Sequence, residues 1–386
     1  MSEAFEFATA GRIVFGAGRL NEVGAIAREF GRRVLLVTGS NSSRAEPVRE
    51  RLIKSGCEVE SIAVAGEPTI ELAERAASQA REARCEMVIG LGGGSVVDAA
   101  KAAAALATNR GPALDYLEVI GAGRPLISDP LPYIAIPTTA GTGAEVTRNA
   151  VLHSPADRVK VSLRSPRMLP RVALVDPDTL LTLPDDVMTS TGMDALTQLI
   201  EAFVSCRANP LTDALCRQAL PRIARSLERA ILDRANAAAR TDLAFASLCS
   251  GMALANAGLG AVHGLAAPLG GMFAVPHGAV CAALLLPVLK ANLEVAQAES
   301  KHADTVGRFS ELAGLLTAGC GREPQQVLDW VAGMKESLKV RGLGQLGVNP
   351  LEFRLVAERA NDASSMKGNP VSLSVERLCA VLTAAA

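Results

Sequence analysis

The stretch Met87-Val-Ile-Gly90-Leu-Gly92-Gly93-Gly94-Ser95-Val-Val-Asp98-Ala-Ala-Lys101 decides the fold of the first half of this 386-residue chain. Its apolar start predicts a buried strand, and its Ala-rich continuation predicts a helix over residues 96–107. Glycines between a strand and a helix let backbone N–H groups approach a phosphate, which the positive end of the helix also attracts. The stretch therefore predicts a phosphate-binding loop, and a tight turn without a ligand is the alternative.

Strand and helix patterns alternate on both sides of this loop. Apolar or β-rich runs predict strands at residues 5–7, 12–15, 34–38, 59–64, 133–137 and 172–175. Amphipathic runs predict helices at residues 20–30, 45–55 and 69–83. Fully apolar strands that alternate with helices indicate a parallel sheet covered on both faces. We therefore predict an α/β, doubly wound dinucleotide-binding domain over residues 1–183.

The texture of the chain changes after Leu183-Pro184. Ala- and Leu-rich amphipathic runs follow one another, and none of the later runs favours a strand. They predict helices at 186–204, 210–231, 236–256, 260–272, 279–294, 302–316, 324–336, 350–359 and 371–384. Residues 184–386 are therefore predicted to form an all-helical domain that carries the metal and substrate site.

Composition excludes several classes of function. The formal net charge is −1, so bulk charge attracts neither nucleic acid nor an anionic membrane. The eight cysteines form no CxxC pair, which favours buried free thiols in a reducing compartment. The apolar run 245–289 contains Gly, Pro, Asn and His, which favours buried helices over a membrane span. With no signal peptide predicted at the N-terminus, we expect a cytoplasmic protein.

Two of the four histidines, His263 and His277, lie 14 positions apart in this apolar run. Buried imidazoles need partners, and a shared divalent metal is one such partner. Two separate histidines, each bonded to backbone, are the alternative. Upstream, Asp194 and Gln198 are four residues apart and share one helical face. Asp194, His263 and His277 would form a three-ligand site with an open fourth position, unless Asp194 only complements the helix dipole.

A second polar motif follows the strand predicted at 133–137. It reads Thr138-Thr139-Ala-Gly-Thr142-Gly-Ala-Glu145, with small hydroxyl residues and glycines at the carboxyl end of the strand. Ligands of open α/β sheets bind at the carboxyl ends of the strands. The motif therefore suits contacts with a ribose, a phosphate or a nicotinamide.

Taken together, these motifs resemble the iron-containing (group III) alcohol dehydrogenase family over nearly the whole chain. The resemblance rests on the Gly-Gly-Gly-Ser loop, the Pro-Thr-Thr-Ala-Gly-Thr-Gly motif, Gly-Met-Asp194 and Val-Pro-His277-Gly. It implies a two-domain, dehydroquinate synthase-like fold and a metal held by Asp194, position 198, His263 and His277. Position 198 is Gln here where the family has His. A further family His corresponds to Ala267, which removes a candidate proton relay.

The resemblance also implies a set of residues that contact the dinucleotide. In the α/β half they are Gly39, Ser40, Ser42, Gly93, Gly94, Ser95, Asp98, Thr138, Thr139, Thr142, Asn149, Lys160 and Thr179. An ordinary surface role is the alternative for Asn149 and for Lys160. An acidic residue at position 39 would bind the ribose 2′-hydroxyl of NAD and repel a 2′-phosphate. Because that position is Gly39, with Arg44 nearby, we expect NADP in preference to NAD.

The activity that this reading predicts is reversible hydride transfer between a small alcohol and its aldehyde or ketone. The nicotinamide is expected in the cleft between the domains, with catalytic Asp194, His263 and His277 placing a Lewis-acidic metal at the substrate oxygen. Gln198 is a weaker ligand than imidazole, which leaves Fe²⁺ and Zn²⁺ both open. The expected partners are the small-molecule substrate and further copies of the chain, with a homo-dimer favoured.

Three other functions fit the same residues. The first is a metal-independent reductase similar to the maleylacetate reductases, in which His263 and His277 would donate hydrogen bonds to a carbonyl. The second is a lyase of the dehydroquinate synthase type, which the apolar surroundings of both histidines disfavour. The third is a dinucleotide-binding protein without catalytic activity.

Overall fold

The computed structural model describes residues 4–386, and these divide into two compact units. One unit is Thr9–Leu183. The other consists of Pro184–Ala386 together with residues 4–8 from the start of the chain. Each unit has its own core, and each is described by itself below.

The first unit is an α/β sandwich around a parallel sheet. Its strands are β1 (Ile13–Phe15), β2 (Arg33–Gly39), β3 (Glu58–Val64), β4 (Met87–Gly92), β5 (Tyr133–Pro137), β6 (Asn149–Ser154), β7 (Val159–Arg164) and β8 (Val172–Val175). Its helices are α1 (Val23–Arg28), α2 (Ser42–Lys54), α3 (Ile70–Glu82) and α4 (Gly94–Thr108). Every residue of β4 and β5 is buried, as expected for central strands with helices on both faces.

The order of the sheet shows where a ligand is expected to bind. Six strands pair in the order β1-β8-β5-β4-β2-β3, and every neighbouring pair is parallel. From β2 the chain continues outward to β3 and then crosses back to β4 on the other side. The strand order therefore reverses between β2 and β4, and ligands of open α/β sheets bind outside the strand ends at such a point. Gly39 and Gly92 end these two strands.

Two local predictions were wrong. Residues 5–7 form no strand, and β1 pairs in parallel with β8 instead of forming an opening hairpin. Around Ala8 the backbone bonds to a side chain instead, since its N–H donates to Asn256 Oδ1 at 2.7 Å and its carbonyl accepts from Asn256 Nδ2 at 2.9 Å. The sequence patterns did not predict β6 and β7, which form an antiparallel hairpin. The alternating burial along β6 is the period-two pattern of a strand.

The second unit is helical, as its sequence pattern predicts. Its helices are α5 (Asp185–Val204), α6 (Pro210–Leu232), α7 (Ala237–Ala257), α8 (Ala261–Met272), α9 (His277–Ala298), α10 (Ala303–Leu316), α11 (Gln325–Ser337), α12 (Phe353–Asn361) and α13 (Val375–Ala384). Within this unit α5 packs against α6, α7 and α9, and α8 packs against α9. These contacts bury most of α5, so any polar residue on its inner face needs a partner.

Helix α9 is also long and apolar enough to cross a membrane. It alone passes that test among the single helices of residues 4–386, and α7 with α8 passes as a pair bent by 99°. Yet 67% of the apolar window in α9 is buried inside the unit. Buried core helices pass the same test, and most of the apolar window of α9 is buried as in such a helix.

Candidate metal centre

Three polar residues lie along one buried face of α5. Asp194, Gln198 and Glu201 follow one another at spacings of four and three, which places them on the same side of the helix. All three are at most 3% exposed. Burying a carboxylate costs several kcal/mol unless it is paired or binds a cation, so this face must meet charged or polar partners.

Helices α8 and α9 supply those partners. His263 is the third residue of α8, and His277 is the first residue of α9. Cys281 lies one turn further along α9 and therefore on the same face as His277. His263 and Cys281 are buried, while the side chain of His277 is about one third exposed at 35%.

Four donor atoms from these helices converge. One ligand atom each from Asp194, His263, His277 and Cys281 lies within 4.8 Å of the other three. Asp194 Oδ1 is 3.3 Å from Nε2 of His263 and 3.8 Å from Nε2 of His277. Sγ of Cys281 is 3.8 Å from the first Nε2 and 3.6 Å from the second. The structure thus brings together the Asp and both His residues predicted from the sequence, and adds a thiol.

Glu201 sets the orientation of one imidazole. Its Oε2 lies 2.6 Å from Nδ1 of His263, and its Oε1 accepts the backbone N–H of Val262 at 2.7 Å. Since a carboxylate only accepts hydrogen bonds, the proton of the neutral ring resides on Nδ1. The lone pair of Nε2 is then on the side of Asp194 and Cys281, where a metal ion could accept it. In the imidazolium form Nε2 instead donates a hydrogen bond to Asp194. A carboxylate behind a histidine in this way is typical of metal sites.

Gln198 lies beside the convergent atoms with its amide already engaged. Its Nε2 donates to Asp194 Oδ2 at 3.4 Å, and its Oε1 accepts from the hydroxyl of Ser250 at 2.8 Å. The atom of Gln198 that could bind a metal is its amide oxygen. In this arrangement that oxygen accepts a hydrogen bond from Ser250 of α7, and the amide nitrogen faces Asp194.

The electrostatics of the cluster favour positive charge. Burial opposes ionisation of Asp194, yet the neighbouring His277 and the hydrogen bond from His263 hold its pKa below the usual value. The neighbouring Cys281 raises the pKa of His277 more than burial lowers it. Burial lowers the pKa of His263, but Cys281, Asp194 and Glu201 together raise it well above its usual value. Anionic donors that stabilise imidazolium stabilise a bound cation for the same reason.

The donor set fits a divalent transition metal. Zinc takes carboxylate oxygen, imidazole nitrogen and thiolate at about 2.0–2.3 Å, which in a tetrahedron puts ligand atoms roughly 3.3–3.6 Å apart. The four separations given above run from 3.3 to 3.8 Å. The four donor atoms are therefore spaced closely enough for one such ion to bind between them after small adjustments.

Sequence reasoning missed Cys281 and Glu201. Cys281 is one of eight scattered cysteines, and its spacing of four from His277 is the signal that could identify it. Glu201 lies seven residues after Asp194, one further turn along the face that already holds Gln198. Both signals were helical spacings, and neither identifies a ligand until the facing helix is known.

The glycine loop and the threonine motif of the α/β unit meet at the carboxyl edge of the sheet. A Cβ on Gly93 would lie 3.2 Å from Thr139 Cγ2, and one on Gly94 would lie 2.8 Å from Thr142 Cγ2. Thr138 extends the same edge, since its N–H donates to the carbonyl of Gly92 at 2.9 Å. The close packing explains why glycine is required here. It leaves the N-terminus of α4 next to two threonine side chains.

The end of β2 is open. Gly39 is half-buried, Ser40 and Ser42 are exposed, and a Cβ on Gly39 would meet nothing within 4 Å. Asn41 caps α2 by accepting from the N–H of Ser43. The guanidinium of Arg44 donates to the carbonyl of Thr182. A side chain can therefore begin at position 39 without its Cβ meeting a neighbour.

Other candidates for dinucleotide binding have internal partners. Asp98 accepts the N–H of Val151 at 3.1 Å and lies 3.7 Å from Nζ of Lys101, and burial raises its pKa to about 6. Lys160 pairs with Glu67 at 3.0 Å. The carboxylate of Asp98 thus holds β6 against α4, whatever further contact it makes.

The last two candidates bond through the backbone. The hydroxyl of Thr179 donates to the carbonyl of Asp176 at 2.7 Å. The carbonyl of Asn149 accepts from Lys101 at 2.7 Å. Asn149 and Thr179 are half-buried.

Comparison with known proteins gives consistent matches. A family model described as iron-containing alcohol dehydrogenase matches residues 10–177, and one for the C-terminal part of the Fe-containing alcohol dehydrogenase family matches residues 188–386. Alcohol dehydrogenase 4 of Saccharomyces cerevisiae is 38% identical over 305 residues, covering 78% of this chain and 76% of the yeast protein. The NAD-dependent methanol dehydrogenase of Bacillus methanolicus is 30% identical over 376 residues, 96% of each chain. A solved 1,3-propanediol oxidoreductase superposes with a TM-score of 0.91 at 31% identity, covering 99% of this chain and 100% of that one.

Proposed function

Because the chain belongs to the iron-containing alcohol dehydrogenase family, we propose that Asp194, His263 and His277 hold the metal of its active site. The protein is an oxidoreductase that interconverts an alcohol and its carbonyl compound, and its family uses a nicotinamide dinucleotide, NAD(H), and a divalent metal that is typically iron. The observation that carries the assignment of residues is the convergence of their donor atoms within 4.8 Å.

In this proposal the side chains of the helical unit prepare the site for charge. When bound, the metal acts as a Lewis acid that stabilises negative charge on the substrate oxygen. Asp194 supplies the anionic oxygen, and Glu201 holds His263 in the tautomer that leaves Nε2 free. Burial of Asp194 and His263 excludes water, which strengthens every electrostatic interaction at the site. The nicotinamide supplies the hydride chemistry, so the protein need only orient it.

The α/β unit is proposed to bind the dinucleotide at the reversal point of the sheet. Gly93, Gly94 and Ser95 would hold the pyrophosphate at the N-terminus of α4. The other proposed contacts are Gly39, Ser40, Ser42, Asp98, Thr138, Thr139, Thr142, Asn149, Lys160 and Thr179. The half-burial or exposure of these residues supports the proposal, because each remains partly accessible to a ligand. Residues 1–183 would then serve the cofactor, and residues 184–386 the metal and the substrate.

NADP is proposed as the preferred form of the cofactor. Support comes from Gly39, which places no carboxylate at the end of β2 to repel a 2′-phosphate. The free space around that position is consistent with a bulky 2′-substituent. The substrate is a small alcohol or aldehyde. We further propose a cytoplasmic homo-oligomer, on the strength of the family resemblance.

Replacement of Asp194 tests the assignment of the metal ligands. In Asp194→Asn the turnover number for alcohol-dependent NAD(P)⁺ reduction should fall by about 10²–10³-fold, because several kcal/mol of charge stabilisation is lost. Binding of NADH and NADPH, followed by fluorescence, should be unchanged. Asp186→Asn is the matched control, since Asp186 is an exposed carboxylate on the same helix. Full turnover in Asp194→Asn would remove this carboxylate from the mechanism.

A further inference from the structure

We infer that Cys281, as a thiolate, is the fourth protein ligand of the metal, and that Gln198 stands outside the ligand set and positions Asp194. The inference rests on the proposed function, since it takes the metal site as given. It goes beyond that proposal by naming a fourth protein ligand and the metal that this ligand favours.

The position of Sγ supports this inference. A thiolate at about 2.3 Å and an imidazole nitrogen at about 2.0–2.1 Å from one zinc ion lie roughly 3.5 Å apart in a tetrahedron. Sγ of Cys281 is 3.6 Å from Nε2 of His277 and 3.8 Å from Nε2 of His263. These separations match two edges of the coordination tetrahedron. Asp194 Oδ1 and Nε2 of His263, at 3.3 Å, match a third.

The helix geometry explains how the thiol reaches that position. His277 begins α9 and Cys281 follows one turn later, so both side chains point to the same face. That face of α9 packs against α5, which carries Asp194.

The two oxygens of Asp194 show which neighbour lies outside the ligand set. Oδ1 faces both imidazoles, at 3.3 and 3.8 Å. Oδ2 faces Nε2 of Gln198 at 3.4 Å. Turning the amide over would place Oε1 of Gln198 against Oδ2, oxygen against oxygen, and would take that oxygen away from Ser250. The arrangement therefore makes Gln198 a hydrogen-bond donor to the ligand Asp194.

The ligand set that results has consequences for the metal. The family pattern provides one Asp and three His, and here a thiolate takes the place of the imidazole missing at position 198. A thiolate is a softer donor than an amide oxygen and favours zinc over the harder divalent ions. Some catalytic zinc sites expand to five ligands, so a substrate oxygen could add to four protein ligands here. We expect the protein to retain Zn²⁺ when it is offered Zn²⁺ and Fe²⁺ together under anaerobic conditions.

Cobalt spectroscopy tests the inference without relying on activity. Wild-type protein loaded with one equivalent of Co²⁺ should show the near-ultraviolet charge-transfer band of a cobalt–thiolate bond. Cys281→Ser should bind cobalt more weakly and lack the band. Cys216→Ser should keep it, because Cys216 is an equally buried thiol of the same unit that lies outside the cluster. X-ray absorption of the zinc form should show sulfur at about 2.3 Å in wild type and in Cys216→Ser, and none in Cys281→Ser.

Gln198→Ala distinguishes the two possible fourth ligands. It should keep the sulfur signal and lose about 10–100-fold in metal affinity, as expected for a residue that positions a ligand. Stoichiometric cobalt binding by wild type without the charge-transfer band would overturn the inference, as would a sulfur shell that survives in Cys281→Ser. In that case a turnover loss in Asp194→Asn would still support the proposed function. If wild type shows the sulfur signal but no alcohol-dependent turnover, Cys281 is a metal ligand and the proposed function is wrong. Circular dichroism of each variant checks that it is folded.

Discussion

Nδ1 of His263 lies 2.6 Å from Oε2 of Glu201, the shortest link between α8 and the buried polar face of α5 among the contacts described above. The other oxygen of Glu201 accepts the backbone N–H of Val262 at 2.7 Å. One carboxylate thus holds both the start of α8 and the orientation of its imidazole. This pairing explains why a third acidic or amide residue is buried on α5.

Glu201→Gln should weaken metal binding by about 10–100-fold. The amide replaces one of the two acceptor oxygens with an NH₂ donor, which would face an N–H group, so either His263 loses its orientation or Val262 loses its partner. Competition with a chromophoric chelator measures the affinity. Glu294→Gln, an exposed position on α9, is the control and should leave it unchanged. An unaltered affinity in folded Glu201→Gln would show that the carboxylate does not position the ligand.

Gly94→Ala should disturb the start of α4. Its Cβ would lie 2.8 Å from Thr142 Cγ2, closer than side-chain atoms approach one another in proteins. Overpacking of this kind costs about 1–3 kcal/mol of unfolding free energy, and it should also weaken binding of the dinucleotide. Denaturant titration and NADH fluorescence measure the two effects. Gly307→Ala, on α10 with no atom within 4 Å of the new Cβ, should instead stabilise the protein by about 0.5–1 kcal/mol.

Gly39→Asp should change the choice of cofactor. A carboxylate at the end of β2 repels a 2′-phosphate and can bind the ribose 2′-hydroxyl, and a Cβ there meets no neighbour. We expect the ratio of NADP to NAD affinity to fall by at least about tenfold, that is 1.4 kcal/mol. Gly39→Asn is the uncharged control and should change this ratio less. Equal ratios in wild type and Gly39→Asp would place the 2′-position away from Gly39.

Lys101→Met should destabilise the α/β unit by about 3–5 kcal/mol, because removing one member of a buried charged network leaves the others unpaired. Nζ of Lys101 donates to the carbonyls of Ala144 and Asn149 and lies 3.0 Å from Thr147 Oγ1. Denaturant unfolding measures the loss. Lys54→Met, at an exposed position of α2, should change stability by less than about 0.5 kcal/mol. A comparable small change in Lys101→Met would mean that water replaces the lost hydrogen bonds.

Glu145→Gln should alter how stability depends on pH. Burial raises the pKa of Glu145 from its usual 4.5 to about 7, although Lys101 opposes the rise. The folded state therefore holds the proton more tightly than the unfolded state, and this residue makes wild type lose stability as pH rises from about 4.5 to 7. Relative to the variant, wild type should lose about 3 kcal/mol across this window. Denaturant unfolding at each pH measures it, and the exposed Glu50→Gln should follow wild type. Parallel curves for wild type and Glu145→Gln would contradict the raised pKa.

The local pattern was sufficient for most of the architecture. Buried strands such as β4, the glycine loop after it and the helices beyond residue 184 follow from hydrophobic period and from glycine placement, which are properties of neighbouring residues. A carboxylate and two imidazoles in apolar helices require partners, which made convergence of Asp194, His263 and His277 one of two interpretations, and the family resemblance favoured it over separate backbone partners. The hairpin of β6 and β7 had the same kind of signal, but only Asn149 and Lys160 within it were predicted, as contacts of the dinucleotide with a surface role as the alternative.

By itself, then, the sequence determined which segments become strands and helices, and which buried polar groups must find partners. Only the tertiary structure decided who those partners are. Cys281 becomes a candidate ligand, and Gln198 a donor to Asp194, because α9 and α7 each pack a particular face against α5. Helical spacing places residues on a face, but it says nothing about which face of another helix lies opposite. That pairing depends on the packing of the whole unit, which no single segment encodes.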